Sequence, residues 1–348
     1  MASSSPDTPT ASSPRRRRRF VLIYVAFLLA LILGSLRLIH IEADVWDYYY
    51  PEIAATGAST ASEDRSDRAF DILTLGGSVM LQVEDALEMR LQKNLDGRVR
   101  CFHLATTAHT SRDSWLKYQR LAGQKFDLVI VCHGINDVRM NYWSANQFRD
   151  DYTHCPWYAN LARDTRSGQL TLGARLLRFA RQQGLGPPTA ADYAHGETLK
   201  TGATFEANLE LLASEATVRG DRVLLLSMPA HLPDNYTRSR FEAGELDYGA
   251  GPVKHPAELW GSPTQVWQGI TAHNRRTRTV AGRHQHVQLI DLPEKISATG
   301  ANFSDICHLT AVGRQRLVDA VAPLITEILG SRTHQRPTGT VHTDHGSL

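Results

Sequence analysis

Three places in this 348-residue chain hold side chains that could share one reaction. In "LGGSVM", Ser78 stands directly after an apolar run and ahead of a helical pattern, with Gly77 before it. A hydroxyl there serves either as a helix N-cap or as a nucleophile. In "HGIND", Gly134, Asn136 and Asp137 follow the most apolar run of the chain. An asparagine amide in that position could donate to a developing oxyanion while the glycine lets the backbone pass closely, although all three residue types also favour turns. In "DICHLT", Asp305 precedes His308 by three residues. That spacing suits a solvated helix start, a metal-ligand pair, or a carboxylate that holds the imidazole Nδ1 hydrogen and leaves Nε2 as a base. Each stretch alone has an ordinary structural explanation. Their conjunction favours nucleophilic catalysis.

The elements that would position these residues follow one another regularly. "FDILTLGG", "VRCFHLA", "FDLVIVCHG", "DRVLLLSMP" and "HVQLIDL" are short apolar runs of strand type. Between and after them lie helical patterns, the clearest being Val83, Leu87, Leu91 and Leu95 on one face. Strands alternating with helices predict an α/β fold with a mostly parallel sheet covered on both faces. In such sheets ligands gather just past the C-terminal strand ends, where Ser78, Asn136 and the Asp305–His308 stretch fall. Residues about 138 to 200, rich in aromatics and arginine, interrupt the alternation and are expected to form a helical insertion or lid. Residues about 231 to 262 are expected to form a second rim, and the two together to hold substrate specificity.

The N-terminus has its own logic. Arg15 to Arg19 supply five positive charges; without them the 38 basic residues fall to 33 against 36 acidic, a balance of −3 that argues against nucleic acid as a partner. Residues 20–41 form an apolar stretch; a hydrocarbon core about 30 Å thick needs roughly 20 helical residues. An uncleaved anchor is expected, since the stretch is longer than a signal-peptide core and no clear small-x-small site follows it. The arginines predict a cytoplasmic N-terminus and an extracytoplasmic remainder. The domain plan is therefore a basic tail at 1–19, the anchor at 20–41, a polar linker at 42–68, a folded domain at 69–330 and a disordered tail at 331–348. Four cysteines are too few for a disulfide framework; Cys101 and Cys132 sit in strand-like runs, leaving Cys155 and Cys307 as the one pair open to joining. His284 and His286 form an H-x-H that could bind metal or simply mark a strand edge, and no metal site is predicted from it. Asn235 and Asn302 begin glycosylation sequons, the second close enough to Asp305 for a glycan to crowd the site. No phosphate loop or dinucleotide fingerprint appears.

The serine stretch is not a G-x-S-x-G elbow, because Met80 takes the place of the final glycine. It resembles instead the first block of the SGNH or GDSL hydrolases, in the variant where Gly-Gly-Ser replaces Gly-Asp-Ser. "VCHGIND" is similar to that family's Gly-x-Asn-Asp block, and "DICHLTAVGRQRL" to its terminal Asp-x-x-His-x-Thr block. The resemblance covers about residues 69 to 330. It implies a flavodoxin-like three-layer α/β/α sandwich and a serine esterase acting on O-acyl esters of carbohydrate or lipid without a cofactor. Ser78 would be the nucleophile, His308 the base and Asp305 its orienting partner. The Ser78 N–H, the Ala108 N–H and the Asn136 amide would form the oxyanion hole, supported by Gly77, Gly134 and Asp137. The family carries glycines where this chain has Ala105 and Ala108. An N–H survives that change, but an alanine forced to positive φ costs about 1–2 kcal/mol. An O-acyltransferase with the same triad, or an inactive binding domain, are the rival readings.

Overall fold

Apolar residues able to bury both faces of a strand build a five-stranded sheet: β1 Phe70–Gly76, β2 Val99–His103, β3 Leu128–Cys132, β4 Arg222–Leu226 and β5 Val287–Ile290. The order is β2-β1-β3-β4-β5 and every neighbouring pair is parallel. Parallel strands need crossovers, and helices supply them. The ones that matter are α1 Pro14–Leu38, α2 Ser78–Leu81, α3 Glu84–Asn94, α4 Ser111–Arg120, α5 Ile135–Arg139, α6 Thr201–Arg219, α7 Pro263–Arg283 and α8 Ala311–Thr333. α4 packs on α6 and α6 on α7, while α3 packs on α8. Two helical layers thus enclose the sheet, and all residues of β1 and β3 are buried. The expected flavodoxin-like α/β/α sandwich is the fold observed.

The strand order matters for function. From β1 the chain steps to β2 on one side and then to β3 on the other, so the crossovers diverge between β1 and β3. A crevice forms at such a switch point. Gly76 pairs with Cys132, and Cys132 with Leu226, so the C-terminal ends of β1, β3 and β4 lie level. Ser78 follows β1 by two residues and Asn136 follows β3 by four.

The computed structural model describes residues 14–38, 40–41, 44–55, 70–171 and 188–333. Most of the expected tails, residues 42–43 and 56–68 of the expected linker, residue 69 and residues 172–187 of the expected insertion lie outside these. The chain divides into two units. The first, Met1–Tyr48 with Arg163–Leu185, contains α1 and a two-residue antiparallel pairing of His40–Ile41 with Leu170–Thr171. Within α1, the 18 residues Arg18–Ser35 have mean hydropathy 1.9 and none is buried, which makes the helix long and apolar enough to cross a membrane or to act as a signal sequence. Helix continues only to Leu38, short of the expected Ile41, because His40 and Ile41 pair as strand.

The second unit, Tyr49–Ala162 with Gly186–Leu348, holds the sheet. It also corrects the linker. Pro51–Ala55 is helical, and Tyr49, Tyr50 and Ile53 are buried in this unit. The described part of the insertion includes the helix that starts at Pro156, whose Tyr158 packs in a buried cluster with Tyr152 and Cys155 from the segment before it. The central strand makes the sheet testable. Ile130 is fully buried in β3, so Ile130→Ala should lower unfolding free energy by about 2–5 kcal/mol in urea denaturation. Val218, 83% exposed on α6, should change it by less than about 0.5 kcal/mol when replaced by alanine.

Candidate active site

β1 ends in two glycines, and each close approach there has a reason. A Cβ on Gly77 would stand 2.7 Å from Asn136 Nδ2 and 3.3 Å from the His109 carbonyl oxygen. The bare backbone therefore lets three segments meet behind Ser78, which opens α2 and is itself 9% exposed. After β3, a Cβ on Gly134 would press to 2.9 Å from the Met228 Cβ. The missing side chain lets α5 start at once and carry Asn136 into the crevice.

The third segment arrives from the far end of the sequence. His308 Nε2 lies 2.9 Å from Ser78 Oγ, and His308 Nδ1 lies 2.7 Å from Asp305 Oδ2. The backbone N–H groups of Cys307 and His308 donate to Asp305 Oδ1 at 2.9 and 2.7 Å, and the His255 N–H donates to Oδ2 at 2.7 Å. Burial alone would raise the Asp305 pKa, but the His308 hydrogen bond and charge, with the two neighbouring N–H groups, hold it below the usual carboxylate range. A carboxylate stays ionised there. With Nδ1–H directed at it, the imidazole presents Nε2 to the serine hydroxyl.

Asn136 is oriented as firmly. Its Nδ2 donates to the His109 carbonyl at 2.9 Å, and its Oδ1 accepts from the Trp260 indole N–H at 3.0 Å. An indole nitrogen only donates, so Oδ1 must face Trp260 and the amide NH2 must face the His109 carbonyl beside Gly77. The loop from Leu104 to Thr110 supplies the remaining wall. Its Leu104 and Thr106 N–H groups bond the Thr74 and Gly76 carbonyls, extending along β1 after β2 has ended. It closes in a capping box, in which Thr110 caps α4 and Asp113 accepts the Thr110 N–H. Ala108 stands in this loop at φ 65°, so the left-handed backbone that a glycine would supply is retained by an alanine. Among the described residues, neither the Ser78 nor the Ala108 N–H makes a hydrogen bond. Ala105 faces elsewhere, its N–H donating to Glu84 Oε1 at 3.2 Å.

Of the sequence-predicted residues, Asp305, His308 and Ser78 are joined by hydrogen bonds, Asn136 lies against Gly77 beside them, and Gly77 and Gly134 are the gaps that admit their neighbours. Asp137 supports from behind, accepting from Ser111 N–H at 3.0 Å, Ser111 Oγ at 2.6 Å and Tyr152 OH at 3.1 Å. Sequence reading missed Trp260, His255 and a buried ion pair. Lys117 is wholly buried, lies 2.5 Å from Glu52 and donates to the Leu104 carbonyl at 2.6 Å. A lysine inside an otherwise amphipathic helix was a faint signal for that pair; nothing local marked its partner.

Other candidates fall apart in space. All four cysteines are free, so Cys155 and Cys307 are not joined. Cys155 packs with Tyr152 and Tyr158, while Cys307 lies in the main core. Burial and the Asp305 charge push the Cys307 thiol well above its usual pKa, so it stays protonated beside His308. His284 contacts Glu210 at 2.6 Å and His286 contacts the Ala213 carbonyl at 3.0 Å, two separate attachments to α6. Asn302 is fully buried and donates to the Ser297 carbonyl, which excludes a glycan there on the folded protein; Asn235 is exposed.

Two predictions follow from the loop and its support. Ala108→Gly removes the left-handed penalty but adds freedom to the unfolded chain, and the net should be a stabilisation on the order of 1 kcal/mol in chemical denaturation. Burial raises the Asp137 pKa to about 7, against the Ser111 and Tyr152 hydrogen bonds that lower it. A carboxyl raised on folding stabilises most below its unfolded pKa, and that contribution is lost as pH climbs through about 7. In Asp137→Asn, the part of the stability profile that falls between about pH 4 and 7 should flatten.

No protein-family model matches this chain, and no curated protein matches it. Among solved structures it is similar to an α/β hydrolase enzyme from the metagenome of Lake Arreo, Spain, at 15% identity and TM-score 0.43, over 75% of this chain and 96% of that one. It is likewise similar to a GDSL-like lipase from Bacteroides thetaiotaomicron, at 13% identity and TM-score 0.44, over 80% and 98%. An acetylxylan esterase from Geobacillus stearothermophilus aligns at 14% identity and TM-score 0.43, over 74% and 94%.

Proposed function

We propose that the domain at residues 69–330 is a serine esterase of the SGNH type that cleaves O-acyl esters through an acyl-enzyme. The observation that carries this is the continuous hydrogen-bonded line from Ser78 Oγ through His308 to the buried Asp305 carboxylate. In the reaction His308 Nε2 takes the Ser78 proton as Oγ attacks the ester carbonyl. Charge developing on the carbonyl oxygen meets the Ser78 and Ala108 N–H groups and the Asn136 amide. The imidazolium, steadied by Asp305, then protonates the departing alcohol, and water repeats the sequence to release the acid. Each proton moves between groups of the chain, substrate and water, and the steps need no cofactor.

The apolar helix from Phe20 to Leu38 is read as the membrane anchor, with the arginine run holding the N-terminus in the cytoplasm and the esterase outside it. A substrate carried on extracytoplasmic carbohydrate or lipid fits that placement. Acetyl groups on polysaccharide are the more specific form of the reading. The reading of an inactive binding domain rested on the absent glycines, and Ala108 at φ 65° supplies the backbone that a glycine would have given.

A fluorophosphonate probe should label the wild type and fail to label Ser78→Ala. Folded wild type that resists the probe would remove the enzyme reading altogether. With an ester substrate, Asn136→Ala should fold and lose about 10²–10³-fold in kcat, or about 2.7–4 kcal/mol of barrier stabilisation. A panel of acetyl and longer acyl esters, with and without a sugar acceptor, separates deacetylation from lipid hydrolysis and from acyl transfer.

A further inference from the structure

A second chemical cluster lies at the edge of the sheet, between β2 and α3. Cys101 and His103 are two apart on an edge strand and share a face; Glu84 and Glu88 are four apart on α3 and share the face that meets it. The Cys101 thiol, a Glu88 carboxylate oxygen and a His103 ring nitrogen all lie within 4.8 Å of one another. His103 Nε2 stands 2.7 Å from Glu88 Oε2, while its Nδ1 stands 3.3 Å from Thr74 Oγ1 and 3.7 Å from Glu84 Oε1. Glu84 is 3% exposed and is held in turn by Thr74 Oγ1 and the Ala105 N–H.

A purely structural ion pair explains His103 between two glutamates. It does not explain the thiol. Nor does it need the Thr74 hydroxyl, itself held by the buried Glu84 carboxylate, behind the imidazole; a hydrogen-bonded partner on the second ring nitrogen is the arrangement that orients a metal-ligating histidine. We propose that Glu88, Cys101 and His103 bind a divalent cation of the Zn²⁺ class, with the Thr74 hydroxyl, held by Glu84, directing the His103 ring. Thiolate, imidazole and carboxylate together suit that borderline-soft ion, and three protein ligands leave its fourth position to water. The 2.7 Å contact between His103 and Glu88 opens as the ion enters, since Glu88 is only partly buried and free to swing on its side chain. On binding, the Cys101 S–H bond breaks and a sulfur–metal bond forms. The Cys101 proton and the proton on His103 Nε2 pass to the buffer. Because Glu84 also holds the Ala105 N–H, the ion would settle next to a carboxylate shared with the loop that carries Ala108.

The assignment is independent of the esterase reading and is tested by spectroscopy. Full-length protein in detergent, stripped with a chelator, is titrated with Co²⁺. The expected result is a thiolate-to-cobalt charge-transfer absorption that saturates at one ion per chain, is displaced by Zn²⁺, and is absent in Cys101→Ser and in His103→Ala. Glu88→Gln, on the partly exposed face of α3, should keep the fold and weaken Co²⁺ binding about tenfold or more. A missing band overturns the proposal, as does unchanged affinity in Glu88→Gln. So does a band that survives Cys101→Ser but disappears in Cys307→Ser, which would put the ion on Asp305, Cys307 and His308 instead.

Discussion

A fully buried carboxylate is expensive to keep ionised, and the loop that carries His308 is arranged around one. Asp305 has no exposed surface and is met by four N–H donors: the His308 ring, the His308 and Cys307 backbone, and the His255 backbone. Two of those backbone donors come from the turn itself, so the "DICH" loop wraps its own acid. The His255 donor comes from the 231–262 rim, which ties that irregular segment to the base. A further bond, from His231 N–H to the Ile306 carbonyl, repeats the tie from the start of the same rim. The Leu309 N–H reaches Gln82 just beyond the serine helix. Satisfying the carboxylate thus joins the last loop, the rim and the turn that carries Ser78 into one piece, and the imidazole has little freedom left.

The opposite wall of the crevice obeys a steric rule rather than an electrostatic one. Gly77 leaves the space that Asn136 Nδ2 and the His109 carbonyl fill, and Gly134 leaves the space beside Met228. A side chain at Gly77 would push Asn136 and the His109 carbonyl away from the end of β1, and one at Gly134 would press on Met228 just past β4. The Asn136 amide then fills a slot bounded by the His109 carbonyl and the Trp260 indole, with one orientation open to it. Glycines and asparagine therefore act together as a backbone device, and the polar chemistry of the site depends on that packing being tight.

The parts that could be read from the residues are those encoded locally. Five apolar runs bounded by turns, and helices with a single apolar face, report on sheet and layers because each needs only its neighbours within a few positions. Ser78, Asn136 and the Asp305–His308 pair were legible for a related reason, since each sits where a strand or loop gives way to a helix. Trp260 and His255 were not, because their partners Asn136 and Asp305 are 124 and 50 positions away and nothing near the tryptophan or histidine marks the bond. The stretch at 42–68 misled for a different reason. Its polar composition described a linker, while Tyr49 and Ile53 sit in two helices of 5 residues each, with Tyr50 between them, both too short to display a period.

Ala108 shows how such a departure from pattern is tolerated. A non-glycine residue at φ 65° is stable only where its surroundings leave no alternative. Here the loop is pinned on each side. Glu84 takes the Ala105 N–H, Lys117 reaches the Leu104 carbonyl and Thr106 Oγ1, the His109 N–H closes back to the Thr106 carbonyl, and the Thr110–Asp113 box fixes the exit. Lys117 is held by Glu52, so a residue soon after the apolar N-terminal helix in sequence takes part in fixing a loop beside the serine. Once the flanking backbone is set, the strain at Ala108 cannot relax without breaking several buried hydrogen bonds, each worth about 0.5–1.5 kcal/mol. A penalty of about 1–2 kcal/mol for the alanine is smaller than that sum. An N–H held in this way is already aimed before any charge develops, which is the property a hydrogen-bond donor needs to favour a transition state over a ground state.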